Sequence, residues 1–251
     1  MKLSIVIPAY NEEKNISGGV LEEVNNYLTG QKYSWEVILV DDASTDNTLS
    51  LLNGFAKGRP NYRVLAEKHR GKGGTVIAGM LKAKGEIVLF TDMDQSTPIA
   101  ELSKLIPYLD KGYNAVIGSR GLKRKDFPLY RKMGATIFST FRRALILPEI
   151  SDTQCGFKLF RKESLAGAFP KLEFFKKKEK VVGWKVTSFD VELLHILKIL
   201  GCKIKEVEVA WTDRDRSTSK GGALKKYFKE SKEMVMQILR VKLDDLKGHY
   251  D

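Results

Sequence analysis

Leu3 to Ile7 is a short apolar run stopped at Pro8, and beyond the polar Asn11-Glu12-Glu13 apolar residues recur every four positions at Ile16, Val20, Val24 and Leu28. That pattern predicts a strand, a loop and a helix. Val37 to Val40 then runs into Asp41-Asp42, and after a Ser/Thr/Asp turn Leu49, Leu52 and Phe55 mark a second helix that Asp46 or Ser44 is placed to cap. A third strand near Arg63 to Ala66 leads through Gly71-Lys72-Gly73-Gly74 into a helix over Val76 and Met80, and Ile87 to Thr91 is a fourth, wholly apolar strand. Alternating βα units of this kind predict an α/β fold, a mainly parallel, Rossmann-like sheet with helices on both faces.

The pattern is looser after Asp92. It predicts a helix near Ile99 to Leu109, a strand at Asn114 to Gly118, and an amphipathic stretch from Leu129 to Leu147. Helices near Ser188 to Leu200 and at about 222–246 flank an alternating strand from Lys203 to Trp211. The expected organisation is one domain over 1–251, with residues 1–118 binding a nucleotide and residues 119–251 binding an acceptor.

Length and composition agree with a globular chain. The 251 residues are 43% hydrophobic with seven Pro, and there is no low-complexity tract or solenoid repeat. Cys155 and Cys202, with His69, His195 and His249, are too few for a disulfide framework or a zinc cluster, which points to a reducing, cytoplasmic setting. No stretch approaches the ~20 apolar residues of a membrane span, so any membrane contact is expected to be peripheral. The net charge of +12 calls for anionic company: nucleic acid, lipid headgroups or phosphorylated small molecules.

Chemistry is expected where strands end, because open parallel sheets bind ligands beyond their carboxyl edges. Asp92-Met93-Asp94 follows the fourth strand, and carboxylates spaced by two project to one side, where they suit a hard cation, Mg²⁺ or Mn²⁺. Such an ion neutralises charge on a departing nucleoside diphosphate. A solvated turn has the same spelling, and so does helix capping at Asp41-Asp42, where an acid also suits a ribose or the imino edge of a base. Pro8-Ala9-Tyr10-Asn11-Glu12 lacks the glycines of a dinucleotide turn, and Gly71-Lys72-Gly73-Gly74-Thr75 lacks the spacing of a P-loop, so neither a dehydrogenase nor an ATPase fits. The glycines and Lys72 at a helix start still suit a nearby anion.

Four segments, Ile5 to Glu12, Asp41 to Asp46, Gly71 to Gly74 and Asp92 to Asp94, stand in the order and spacing that resemble family 2 inverting glycosyltransferases of the GT-A fold. Gly118-Ser119-Arg120, Asp152 to Lys158, Ser188 to Glu192 and Arg216 to Lys220 look like the dolichyl-phosphate glucosyltransferase and mannose synthase branch. The resemblance spans about residues 3 to 230. It implies a nucleotide-sugar donor held by Pro8, Ala9, Tyr10, Glu12, Asp42, Lys72, Asp92, Met93 and Asp94, with Arg216, Ser219 and Lys220 closing over its phosphates. It assigns the metal to Asp92 and Asp94, and a polyprenyl or dolichyl phosphate acceptor to Arg120, Arg131, Asp152 and Gln154. Ser96 stands where the mannose synthases carry Gln, with Gln95 displaced by one, which leaves glucose and mannose both open as the sugar.

A phosphate monoester, with a second pKa near ~6, is already largely dianionic and needs cationic positioning, for which Arg120 and Arg131 are suited. A glycan or protein hydroxyl would instead need a base, and Asp190 is the candidate; as a helix-start acid it has an equally plain structural use. Residues 138–147, where Phe138 and Phe141 alternate with Arg142 and Arg143, read either as an interfacial helix on anionic lipid or as core. A nucleic-acid-binding module is disfavoured, since no helix concentrates basic and aromatic residues and acids cluster at three strand ends. A sugar-nucleotide sensor without turnover shares the donor motifs.

Overall fold

The structure, a computed structural model, describes residues 2–121, 138–173, 189–216 and 223–250, the side chains of 223–232 excepted. Seven strands form one sheet in the order β3-β2-β1-β4-β6-β5-β7. They are β1 (Lys2–Ala9), β2 (Ser34–Asp41), β3 (Tyr62–Ala66), β4 (Ile87–Thr91), β5 (Ala115–Ser119), β6 (Phe157–Arg161) and β7 (Ile204–Glu208). β1 lies between β2 and β4, all parallel, and is buried from Leu3 to Ala9, which is why its sequence runs apolar without alternation. Alternate residues still divide between the faces. Leu3, Ile5 and Ile7 join a core with Leu39, Leu89 and Leu159, whereas Val6 joins Val40, Phe90 and Phe160 on the other side.

The predicted strands and helices recur with two local differences. The first helix is broken into α1 (Glu13–Ser17) and α2 (Val20–Thr29), because Gly18-Gly19 intervenes and Gly19 takes φ +87°, outside the helical region. α3 (Thr48–Ala56) starts as expected, with Asp46 Oδ1 accepting the Thr48 N–H at 3.0 Å. The strand predicted to reach Trp211 ends at Glu208.

The second difference is larger. β6 runs antiparallel between β4 and β5, pairing Thr91 with Phe157 and Phe90 with Lys158. The sequence pattern does not announce it, since Phe-Lys-Leu-Phe-Arg is short and carries a Lys among apolar residues. It is followed by α7 (Lys162–Ala168), and α5 (Leu102–Asp110) and α6 (138–145) precede it. α8 (Phe189–Ile199) and α9 (Ala223–Leu246) complete the order.

α6 does not offer an apolar face to lipid. Phe138, Phe141 and Leu145 pack on the core, Ile146 and Leu147 are buried, and Arg142 is 1% exposed with Nη2 donating to the Ser151 carbonyl at 2.8 Å. Burial lowers the Arg142 pKa to about 10. The part of the amphipathic stretch from Leu129 to 137 lies outside the described residues.

α4 (Gly71–Lys82) lies directly on the sheet. A Cβ added at Gly79 would overlap the Val6 and Val40 side chains, so the helix approaches β1 and β2 only because that residue has none. Gly79→Ala is expected to cost about 1–3 kcal/mol by overpacking. Urea unfolding followed by circular dichroism measures it, and an unchanged midpoint would show that the helix does not need this approach.

Candidate active site

The loops after β1, β2 and β4 meet at one edge of the sheet. Asn11, Ala43 and Gln95, one in each loop, are the non-glycine residues with positive φ among the described residues. Backbone of this kind is held in place only when its surroundings enforce it, and here it marks the site. Asn11 Oδ1 accepts the Thr45 N–H at 2.8 Å and Ser44 Oγ accepts the Asn11 N–H at 3.1 Å, tying the first loop to the second.

Asp42 is fully enclosed and serves its own chain. Its carboxylate accepts the N–H of Arg70 at 2.7 Å and of Gly71 at 2.9 Å, and His69 Nδ1 lies 2.9 Å away. Asp42 therefore fixes the turn that starts α4, and Tyr10 stacks beside it on His69 with ring centroids 4.8 Å apart. α4 in turn presents Lys72, whose Nζ is 2.7 Å from Asp92 Oδ1. Pro8 and Ala9 end β1 under this platform, opposite Val40 and Asp41.

Acids dominate the centre. Burial first, and then the neighbouring Asp92, raise the Asp94 carboxyl to about 6. Burial likewise raises Glu12 to about 8, with Asp215, Asp94 and Asp92 adding to it and the Asn15 hydrogen bond opposing it. Met93 between the two acids is buried in the core. Gln95 turns inward, its Nε2 donating to the Asp92 carbonyl at 2.8 Å, while Ser96 N–H binds Asp94 Oδ1 at 2.8 Å. Gln95, which stands one residue before the position of the family's Gln, is thus used to hold the Asp92 turn.

This donor set fits a hard divalent ion that takes one or two protein carboxylates and completes its shell with phosphate and water. Among the described residues no group of three or more His, Cys, Asp or Glu stands ready to enclose a metal alone.

β6 brings the second half of the chain to these acids. Because Phe157 pairs with Thr91, the preceding Gly156 lies against Asp92, and a Cβ there would collide with the Asp92 carboxylate. The same loop holds both cationic side chains of the far side. Asp152 takes Arg120 in a fork, Nε to Oδ2 at 2.7 Å and Nη2 to Oδ1 at 2.8 Å, and its own N–H donates to Glu206 Oε1 at 2.7 Å. Lys158, 1% exposed, donates to the Cys155 carbonyl at 2.5 Å and to Asp190 Oδ2 at 2.6 Å. Asp190 Oδ1 is buried without a hydrogen-bond partner among the described residues.

The segment leading to Arg216 is strapped across the site. Ser96 accepts the N–H of Thr212 and of Arg214, Arg214 pairs with Glu23 at 2.6 Å, and Asn15 Oδ1 accepts the Arg216 N–H at 3.0 Å. Asn15, 2% exposed, also donates to Glu12 Oε2 at 2.5 Å. A cavity of about 290 Å³ opens between Asn15, Asp94 and the run from Asp213 to Arg216.

The structure thus gathers Pro8, Ala9, Tyr10, Glu12, Asp42, Lys72, Asp92, Asp94 and Arg216 at one edge, and joins Arg120 to Asp152 beside it. Gln154 reaches α9 instead, with Nε2 3.3 Å from the Met234 sulfur. Arg131, Ser219 and Lys220, with Ser188, lie outside the described residues. Sequence reasoning missed Asn15, Gly156 and Lys158. A charged residue inside an apolar strand was the available sign for Lys158; a polar residue beside Ile16 on the buried side of a helix was the sign for Asn15.

The model of glycosyl transferase family 2 matches residues 4–169, and the chain belongs to that family. It is 32% identical to a dolichyl-phosphate beta-glucosyltransferase of Dictyostelium discoideum, over 98% of this chain and 75% of that protein. It is 38% identical to one of Trichomonas vaginalis, over 87% of this chain and 68% of that protein. Among solved structures, glucosyl-3-phosphoglycerate synthase from Mycobacterium tuberculosis, in complex with Mn²⁺, UDP and glucosyl-3-phosphoglycerate, aligns with TM-score 0.65 at 20% identity. That alignment covers 96% of this chain and 80% of the synthase, and the shared fold is GT-A.

Gly156→Ala is expected to displace Asp92 and to reduce turnover at least tenfold while the far-UV circular dichroism spectrum stays native. Wild-type turnover would mean that Asp92 tolerates another position. Removing the ammonium with Lys158→Met strands a buried carboxylate and is expected to destabilise the fold by about 3–5 kcal/mol, most of it restored in Lys158→Met/Asp190→Leu. Chemical denaturation of the two variants measures the coupling, and additive losses would show that the pair is not one unit.

Proposed function

We propose that this protein transfers glucose from a nucleoside-diphosphate-glucose, UDP-glucose, to dolichyl or another polyprenyl phosphate, with inversion at the anomeric carbon. The observation that carries the reading is the meeting of two sets of groups across Gly156. On one side stand Asp92, Asp94 and Lys72, suited to a diphosphate; on the other stand the Arg120–Asp152 and Lys158–Asp190 pairs. The relatives are named dolichyl-phosphate beta-glucosyltransferases, and the solved neighbour holds Mn²⁺ with UDP.

In the reaction an oxygen of the acceptor phosphate forms a bond to the anomeric carbon while the bond from that carbon to the diphosphate oxygen breaks and the nucleoside diphosphate departs with the electron pair. A divalent ion on Asp92 and Asp94, Mg²⁺ or Mn²⁺, supplies charge neutralisation on the diphosphate. Lys72 and, once the donor is in place, Arg216, Ser219 and Lys220 add to it. Tyr10 and His69 give the base a stacking platform, and Asp42 acts through the turn it fixes. Arg120, held by Asp152, and Arg131 orient the acceptor phosphate, while Gln154 is turned to Met234 of α9.

No proton need be removed from a dianionic phosphate, so with that acceptor Asp190 serves to hold Lys158 through its Oδ2. A hydroxyl acceptor fits the same donor site but leaves this pairing unused. Residues 1–118 form the donor half and 119–251 the acceptor half of one catalytic unit, and the free Cys155 and Cys202 suit the cytosolic side of a membrane.

Radiolabelled UDP-glucose and GDP-mannose, each offered with a short polyprenyl phosphate and Mn²⁺ or Mg²⁺, test this directly. Labelled glucosyl lipid is the expected product, absent without metal and absent in Asp94→Asn. Transfer from GDP-mannose alone would overturn the choice of sugar; donor hydrolysis without lipid product would overturn the acceptor.

A further inference from the structure

The outer face of α9 carries Met236, Leu239, Leu243 and Leu246, exposed by 57%, 38%, 54% and 71%. Their spacing of three, four and three residues places them in one line, opposite Ile238 and Val241, which are fully buried against the core. Large apolar side chains exposed singly need no explanation, but a continuous line about 15 Å long on one helix does.

Its surroundings are basic outward and acidic inward. Lys242 and the exposed Lys247 flank the line. Asp244 and Asp245 lie on the inner side, taken up by Arg240, His249, His195 and Lys242. Arg240 is itself held by Glu173 and Glu192, and Tyr250 donates to Glu192 at 3.0 Å, so this end of the helix is clamped to α8.

We propose that this line is the surface by which the protein rests on an anionic lipid bilayer, the four apolar side chains entering the headgroup region and the lysines meeting lipid phosphates. The proposal rests on the lipid-phosphate acceptor of the preceding section, whose hydrocarbon tail stays in a bilayer. Among the described residues no helix is long and apolar enough to cross a membrane. α9 also passes the acceptor motif, where Met234 touches Gln154. A coiled coil with a second copy is the competing occupant. It is disfavoured because the apolar line spans less than the three to four heptads such a seam needs. The chain's net charge of +12 favours the anionic surface.

The test is sedimentation of the full chain with vesicles of phosphatidylcholine alone or with 30% phosphatidylserine, in low and high salt, alongside transfer to a short water-soluble isoprenyl phosphate. Wild type is expected to bind the anionic vesicles, more weakly as salt rises. Leu239→Ser/Leu243→Ser is expected to bind at least tenfold more weakly while keeping its circular dichroism spectrum and its transfer to the soluble acceptor. Leu81→Ser, an exposed leucine on α4, is expected to change neither. Absence of wild-type binding, or full binding by the double variant, overturns the docking surface even when soluble transfer is intact. Binding without soluble transfer leaves the surface standing and counts against the proposed reaction. A wild-type dimer by light scattering that the double variant breaks, with vesicle binding unchanged, assigns the line to a second copy.

Discussion

The antiparallel pairing of β6 with β4 is the constraint on which the site depends. Its register sets Phe157 opposite Thr91, and so sets Gly156 under the carboxylate of Asp92. One residue of slip would turn Lys158 away from Asp190 and put a side chain where Asp92 stands, because successive strand residues face opposite sides. The loop that enters β6 then does three jobs within a few residues: Asp152 holds Arg120, Gly156 admits Asp92, and the Cys155 carbonyl receives Lys158. The two sides of the candidate site therefore share one backbone segment.

Electrostatics follow from that closeness. Glu12, Asp92, Asp94 and Asp215 share a partly enclosed space, and burial together with their mutual repulsion drives Glu12 and Asp94 toward the neutral form. A site strained in this way is relieved by a cation, and Lys72 alone cannot balance it. Across Gly156 the reverse holds among the described residues, Arg120 being matched by Asp152 and Lys158 by Asp190. Pairing costs those cations some freedom to move but fixes their geometry before substrate arrives, which is what phosphate positioning requires.

The site and the surface of α9 are connected by chemistry rather than by contact. An acceptor whose tail stays in lipid obliges the enzyme to come to it, and an apolar line edged with lysine on a helix that passes the acceptor motif is an economical way to do so. α6, whose sequence reads equally well as an interfacial helix, is spent on the core. The difference is one of environment: both segments are amphipathic, and only packing shows which has its apolar side covered.

The early half of the chain was legible because each strand buried on both faces has no alternative to a continuous apolar run, and the residues that follow it must lie at the sheet's edge. That reasoning reached Pro8 to Glu12, Asp42, Lys72, Asp92 and Asp94 from local pattern, with a family resemblance naming their use. It did not reach Asn15, Gly156 or Lys158, nor the enclosure of Asp42 by the Arg70-Gly71 turn. These residues matter through partners far away in the chain: Asn15 through Arg216, Lys158 through Asp190, Gly156 through Asp92. Periodicity reports what a residue's own helix or strand buries, whereas pairing order and register decide which strands meet, and here a single antiparallel insertion, invisible to local pattern, decided how the two halves of the site face each other.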